Sequence, residues 1–420
     1  MTQVAQWMAQ LQQASGSAEI VAHFEVVTPM FIGDGEQIAR DVRPPSLKGA
    51  LRFWWRALRW GHCLSAAGGR VDAALRQLHH EEAVLFGLAV KGDQGGQGMF
   101  SLTVEYQGKV VGRRDANAWK PGLGTQYLLG QGLWHFRDRL LRDYLPEGGQ
   151  FVVRLRPHRR QDQALWASLE DALLAFGLFG GLGSRARRGL GSVSLIALEG
   201  SGHVLPKTRA EYLRCAQRLF SHSLNIKEMP PFTACSAHTR LDVSNQGKKP
   251  LDLLEAIGGE FQLYRAWGNN GKVGSKDAER NFALDHHEAL RAAQGELPKK
   301  VPQRVVFGLP HNYFFSGSKA KVDISVHKEA AGERRASALL MHVHRLCEGD
   351  YLGVQVFMPA AFLPGRAGKP GQLKFKPGRG REMRLECPDT AVDWKVVHRF
   401  LDRFTERSSV RAEGGQGGGR

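Results

Sequence analysis

Apolar positions along this chain change their period, and each change marks an element. EIVAHFEVV (19–27) reads as a strand. SLKGALRFWWRALRW (46–60) follows a helical period, with Ser46 as a candidate N-cap. RVDAALRQLHHEEAVLFG (70–87) reads as a second helix, and MFSLTVEY (99–106) and QFVVRLR (150–156) read as strands. DQALWASLEDALLAFGLF (162–179) is another amphipathic helix, and LGSVSLIAL (190–198) a last strand. The order strand, helix, strand, strand, helix, strand is that of the ferredoxin-like split βαβ, which the RNA-recognition fold shares. The pattern over 19–200 therefore predicts an α+β domain.

The pattern after residue 200 is sparser. LDLLEAIGGEFQLYRAW (251–267) and TAVDWKVVHRFLDRF (390–404) read as helices, and KVDISVH (321–327), SALLMHVHRL (337–346) and YLGVQVFM (351–358) as strands. A second domain is expected over 210–406, followed by a Gly-rich, disordered tail over 408–420.

The helix at 46–60 carries an unusual charge pattern. At about 100° per residue, Lys48, Arg52, Arg56 and Arg59 share one arc, and no acidic residue lies within it. Like charges at i,i+4 repel by about 0.2–0.5 kcal/mol. An anionic partner would relieve them; the alternative is an ordinary solvated face on a core helix. Trp54 belongs to the apolar arc, and Trp55 and Trp60 border it. Core packing is the preferred role for that pair, with base stacking as the alternative.

Net charge strengthens the anionic-partner reading. The 420 residues carry +17 at neutral pH, which favours a polyanion such as nucleic acid. No apolar run reaches the roughly 20 residues that span a bilayer. The first eighteen residues lack a basic start followed by an apolar stretch. Five widely spaced cysteines without a C-x-x-C pair fit a reducing cytoplasm and give no zinc motif. A cytoplasmic protein without a membrane partner is expected.

One loop concentrates chemistry. FGLFGGLGSRARRGLGSV (176–193) holds Gly177, Gly180, Gly181, Gly183, Gly189 and Gly191 together with Arg185, Arg187 and Arg188. Glycines admit positive φ and close backbone approach. Successive N–H groups can form an anion nest, and guanidinium forks suit phosphate. No Walker lysine is present, and the loop precedes a strand rather than a helix, which argues against a mononucleotide P-loop. The alternative is a tight connection with solvated arginines.

TPMFIGDGEQIARDVRPPSLKGALRFWWRAL (28–58) followed by GGLGSRARRGLGSV (180–193) resembles the RAMP superfamily of CRISPR proteins, and within it the subunit-one family of the type III-B Cmr effector module. VFGLP (306–310) and RRASALL (334–340) are similar to that family's C-terminal half. The resemblance implies two packed ferredoxin-like, RRM-like domains. It implies a non-catalytic RNA-binding subunit near the head of the complex, toward the guide's 3′ end, in antiviral RNA-guided interference. Its implied partners are guide RNA, complementary target RNA and other RAMP subunits, without a cofactor. Carried over by position, Lys48, Arg52 and Arg56 of the helix and Gly180, Gly181, Gly183, Arg185, Arg187, Arg188 and Gly189 of the loop become RNA-binding candidates.

Catalytic candidates are weaker. Asp285, His286 and His287 are similar to a metal-dependent phosphoesterase motif but lie in a helical pattern without companion aspartates. His342 and His344 would share one face of a strand, and an exposed or RNA-facing pair is preferred over metal ligation. A RAMP-type endoribonuclease processing guide precursors, using for example His135 or His158, is the alternative function. A metal phosphoesterase ranks below it.

Overall fold

The computed structural model describes residues 19–412, apart from 35, 37, 92–93, 159–161, 328–333, 364 and 366–368. The principal elements are named in chain order. The first half contains β1 (Ile20–Val26), α1 (Pro44–Ala66), α2 (Val71–Phe86), β2 (Phe100–Gln107), α3 (Leu123–Leu129), β3 (Gln150–Pro157), α4 (Gln163–Phe179) and β4 (Val193–Glu199). β1, β2, β3 and β4 form an antiparallel sheet in the order β2-β3-β1-β4. This is the split βαβ arrangement that the element order predicts.

Helix α1 starts two residues before the expected cap. Arg43 occupies the N-cap without a side-chain bond, and prolines fill the first turn. Proline suits that position because its φ is already helical and its missing N–H would have no partner there. Ser46 lies inside the helix, and its N–H donates to the Arg43 carbonyl at 3.0 Å. Trp54, Trp55 and Trp60 are all buried. Trp54 packs on Phe179, Trp60 on Phe232, and the Trp55 indole N–H donates to Ser168 Oγ at 2.8 Å. The tryptophans are core, and none is free to stack on a base.

The second half contains α5 (Arg209–Phe220), β5 (Arg240–Gly247), α6 (Pro250–Arg265), α7 (Ala283–Ala293), β6 (His311–Phe314), β7 (Lys321–Val326), β8 (Leu339–Arg345), β9 (Tyr351–Phe357), β10 (Gln372–Pro377), β11 (Met383–Glu386), α8 (Lys395–Leu401) and β12 (Ser408–Arg411). The antiparallel order β8-β9-β5-β12 repeats that of the first sheet, counted within each half. The split βαβ unit therefore occurs twice. A separate antiparallel sheet, β6-β7-β10-β11, is inserted into the second copy.

Two differences from the sequence reading follow. KVDISVH belongs to the inserted sheet. The expected tail from 408 begins with a strand, because Ser408–Arg411 pair with Arg240–Val243 of β5; residues 413–420 lie outside the described residues.

The halves meet at the edges of their sheets. One buried cluster runs from Phe24, Trp54 and Phe176 in the first half to Leu241, Val354 and Val356 in the second. At this seam the N–H groups of Val343 and Arg345 in β8 donate to the hydroxyls of Ser192 and Ser194. His342 and His344 are buried here, at 1% and 2% exposure. The expected exposed pair is thus a core pair. Its cover is α4 and the Tyr212 ring, whose centroid is 4.7 Å from that of His344.

Burial drives the His344 imidazole down to about 3 and pushes His342 well below its ordinary range, with His344 a secondary cause. Both rings are neutral when folded but protonate in the unfolded chain below about pH 6.5. The unfolded state then binds more protons, so stability falls as pH drops from about 6.5 toward 3, by up to ~1.4 kcal/mol per pH unit for each ring. Urea melts between pH 5 and 7.5 should show this slope, and His344→Phe should flatten it. An equally steep slope in that variant would exclude His344 as a source.

Candidate nucleic-acid interface

The basic stripe of α1 is relieved from within the chain. Helix α2 packs beside α1 and brings Glu81 and Glu82 under the arginines. Glu82 Oε1 accepts from Arg52 Nε at 2.7 Å and from Arg56 Nη1 at 3.0 Å, and Glu81 Oε2 accepts from Arg59 Nε at 2.6 Å. Glu82 is only 6% exposed. The acidic partners missing from the helical arc are thus supplied by the neighbouring helix. Arg52 and Arg56 retain partly exposed side chains, with their charges anchored. Lys48 differs: it is half-buried, and its side chain makes no hydrogen bond or ion pair among the described residues. Partial burial lowers its pKa, with Arg52 adding to the effect. Lys48 and Arg52 line a groove of about 700 Å³, whose other walls include Phe86, Gly98, Ser101 and His158.

The Gly/Arg loop is likewise turned inward. Its glycines allow backbone to meet backbone. A Cβ on Gly181 would lie 2.8 Å from the Gly191 carbonyl oxygen, and one on Gly180 would lie 2.4 Å from the Phe176 ring. Gly183 has φ +86°, and its Cβ would stand 2.6 Å from the Phe31 carbonyl oxygen. Gly189 has φ +79°, and its carbonyl accepts from the Thr28 and Ser192 hydroxyls. Several N–H groups expected in an anion nest are already used. Leu182 donates to Gly191, Ser184 to Phe31 and Gly191 to Pro29. The loop then meets β8, where the Met341 N–H donates to the Arg187 carbonyl. Gly180, Gly181, Gly183 and Gly189 thus have structural roles that account for their small size.

The three loop arginines diverge. Arg187 Nη1 donates to the Ser337 carbonyl, and its guanidinium lies 4.9 Å from the Phe53 ring centre. Burial brings its pKa down to about 10. Arg188 points toward α3, 3.4 Å from the Leu128 carbonyl, and burial followed by Arg265 and Arg185 brings it to about 9. Arg185, at φ 65°, is exposed; its carbonyl accepts from the Arg188 N–H at 2.7 Å, and its side chain makes no hydrogen bond or ion pair among the described residues. The structure therefore separates Lys48 and Arg185, which are unpaired, from Arg52 and Arg56, which are ion-paired, and Arg187 and Arg188, which are turned inward.

Other candidates are engaged elsewhere. Asp285 accepts from the N–H groups of Gln303 and Arg304, at 2.8 and 2.7 Å, and His286 stacks on Trp267. His135 pairs with Asp138 at 2.7 Å. Among the described residues no three His, Cys, Asp and Glu side chains are grouped to hold a metal ion. The first sheet's face away from its helices carries His23, Thr103, Glu105, Val152, Arg154 and Arg156 in register, while Glu25 on the same face is buried by an ion pair with Arg345. This face carries no Phe, Tyr or Trp ring of the kind on which RNA-recognition domains stack bases, and the ring it does present is the His23 imidazole. No helix among the described residues is long and apolar enough to cross a membrane.

Sequence reasoning missed the arginines of the second half. Arg265 ends α6, Arg304 lies ahead of β6, and Arg335 donates to the Ala361 carbonyl at 3.0 Å. Neither motif nor period marks Arg265 or Arg304, and Arg335 lies in RRASALL without a role assigned to it; each joins the loop arginines only through the fold.

Residues 23–194 match the model of the RAMP superfamily. Among solved structures, the chain is similar to apo Cmr1 from Pyrococcus furiosus, with 17% identity, a TM-score of 0.52, and coverage of 94% of this chain and 99% of that one. It is also similar to a chain of the type III-B Cmr-beta complex bound to cognate target RNA and AMPPnP in the presence of single-stranded DNA. That match has 11% identity, a TM-score of 0.50, and coverage of 93% and 99%. At these identities the likeness is one of fold. No curated protein matches the chain in sequence.

Proposed function

With a RAMP-superfamily match over residues 23–194 as the premise, we propose that this chain is an RNA-holding, non-catalytic subunit of a type III-B CRISPR effector, working beside other RAMP subunits and contacting guide or target RNA near the guide's 3′ end. The observation that carries the reading is end-to-end fold similarity to Cmr1, over 94% of this chain and 99% of that one. A charge of +17 supports it, because a guide-holding protein needs phosphate contacts that fix register while base pairing supplies sequence specificity. The decisive experiment is recovery of the tagged chain from its host, with sequencing of bound RNA and identification of partners. Short RNAs with repeat-derived ends and RAMP partners are expected. Recovery of neither would overturn the proposal, and cutting of repeat RNA by the purified chain would favour the endoribonuclease instead.

Unpaired cations should contribute most to RNA affinity. Lys48→Ala with Arg185→Ala is expected to weaken single-stranded RNA binding for all sequences alike. It should reduce the slope of log K against log salt by about 1.4, at ~0.7 per phosphate contact. Arg52→Ala with Arg56→Ala should change the slope less, because Glu82 already neutralises part of that charge. Equal slope changes in filter-binding titrations would contradict the division.

A further inference from the structure

The seam between loop and second half buries more positive charge than it pairs. Arg188 from the loop, Arg265 from the end of α6 and Arg304 act together on Tyr127, and the same three act on His311. Arg265 is 4% exposed. Its guanidinium lies 4.6 Å and 4.8 Å from the ring centres of Phe261 and Phe307. Its side chain reaches His311 Nε2 from Nη2 at 3.4 Å, while its Nε is buried without a partner among the described residues. Arg304 Nε, His311 Nδ1 and the Tyr313 hydroxyl are also buried and unpartnered among them. Among the described residues no carboxylate forms an ion pair with the three arginines. Asp285, which acts on Arg304, is occupied by two backbone N–H groups.

Such an arrangement is costly for an empty protein. Arginine does not shed its proton near neutral pH, and a buried charge without a counter-charge is strongly unfavourable. The donors are also of one kind: guanidinium N–H groups with a phenol at hand, and Asp285, the acid that acts on Arg304, is already engaged by two backbone N–H groups. Guanidinium forks match the oxygens of a phosphate and form its stronger, charge-assisted hydrogen bonds. The groups adjoin one another: the Arg265 guanidinium lies 6.0 Å from the Tyr127 ring centre, that of Arg304 5.3 Å from the Tyr313 ring centre, and Arg188 reaches the carbonyl of Leu128, next to Tyr127; the three cations together lower the Tyr127 phenol despite its burial.

We propose that Arg188, Arg265 and Arg304, with Tyr313, bind a phosphate group at the seam between the two halves. The proposal rests on the RNA-holding reading only for the source of that phosphate, an RNA strand rather than a free anion.

Calorimetric titration of the full chain tests this with three probes: inorganic phosphate, a short single-stranded RNA without terminal phosphate, and the same RNA with a 5′-monophosphate. Arg188→Gln and Arg304→Gln are compared with Arg76→Gln, an exposed control that removes the same net charge. At least one probe should bind, and each seam variant should weaken it about 10- to 100-fold, as expected for one charge-assisted contact. The control should have a smaller effect. Without ligand, Arg188→Gln should melt at or above the wild-type temperature, because burial and the neighbouring Arg265 and Arg185 disfavour its charge. Equal binding of both RNAs assigns the site to the strand's backbone, and preference for the phosphorylated RNA assigns it to an end. Phosphate binding without RNA binding keeps the site but overturns the RNA-holding reading of this face. Binding by none of the probes, affinities unchanged in the seam variants, or a lower melting temperature of ligand-free Arg188→Gln would overturn the site itself.

Discussion

Gly191→Val is expected to destabilise the chain by about 3–5 kcal/mol, within the range of severe single substitutions. Gly191 has φ +61°, and a Cβ there would lie 2.1 Å from the Leu182 carbonyl oxygen and 3.2 Å from Met30 Cγ. Left-handed backbone alone costs a non-glycine residue roughly 1–2 kcal/mol, and a β-branched one is worse placed still. The clash cannot be relieved locally. The Gly191 carbonyl accepts from the Leu182 N–H, its own N–H donates to Pro29, and the adjoining Ser192 hydroxyl receives the β8 backbone at Val343. A displaced loop therefore disturbs the seam between the halves. Urea denaturation should show the midpoint falling before any RNA is added. A wild-type midpoint combined with lost RNA binding would restore the view of this loop as a ligand cradle. Gly183→Val should act in the same direction with a smaller loss, since Gly183 is exposed although its φ is positive.

These glycines show where sequence suffices and where it does not. Their density marks a loop that needs unusual backbone, but composition does not distinguish N–H groups aimed at a ligand from carbonyls packed on carbonyls. The split βαβ order of the first half is legible because α1, α4, β1 and β4 each carry a local apolar period. The relief of the α1 stripe is not legible: Glu82 stands 30 residues from Arg52 and reaches it only through packing of α1 on α2. Strand β5 escapes notice because RLDVSNQG is polar, and its polar residues are buried by mutual pairing. The Arg188–Arg265–Arg304 cluster joins three segments far apart in the chain, so no window along it contains them together.

That pairing in β5 sets the second large effect. Asp242→Ala is expected to cost about 3–5 kcal/mol, the usual consequence of removing one member of a buried ion pair. Asp242 and Arg240 are 0% and 2% exposed. Asp242 Oδ1 accepts from Arg240 Nε at 3.0 Å and from Ser409 Oγ at 2.7 Å, and Oδ2 accepts from Arg240 Nη2 at 2.7 Å. Arg407 Nε lies 3.8 Å from Oδ2, and Asp402 offers Arg240 a second, more exposed carboxylate at 2.8 Å. One carboxylate thus holds β5 to β12 and to the segment that leads into it. Its loss leaves Arg240 buried with half its hydrogen bonds and loosens the strand that closes the second sheet. A chain ending at Glu406, which removes Arg407 and β12 but keeps Asp242, should lose part of the same stability. Arg240→Met together with Asp242→Leu should recover much of it, because apolar replacement of both partners avoids stranding a charge. If the double substitution is instead as damaging as the sum of Arg240→Met and Asp242→Leu measured singly, the two residues act independently, and the strand is held by backbone pairing rather than by the ion pair.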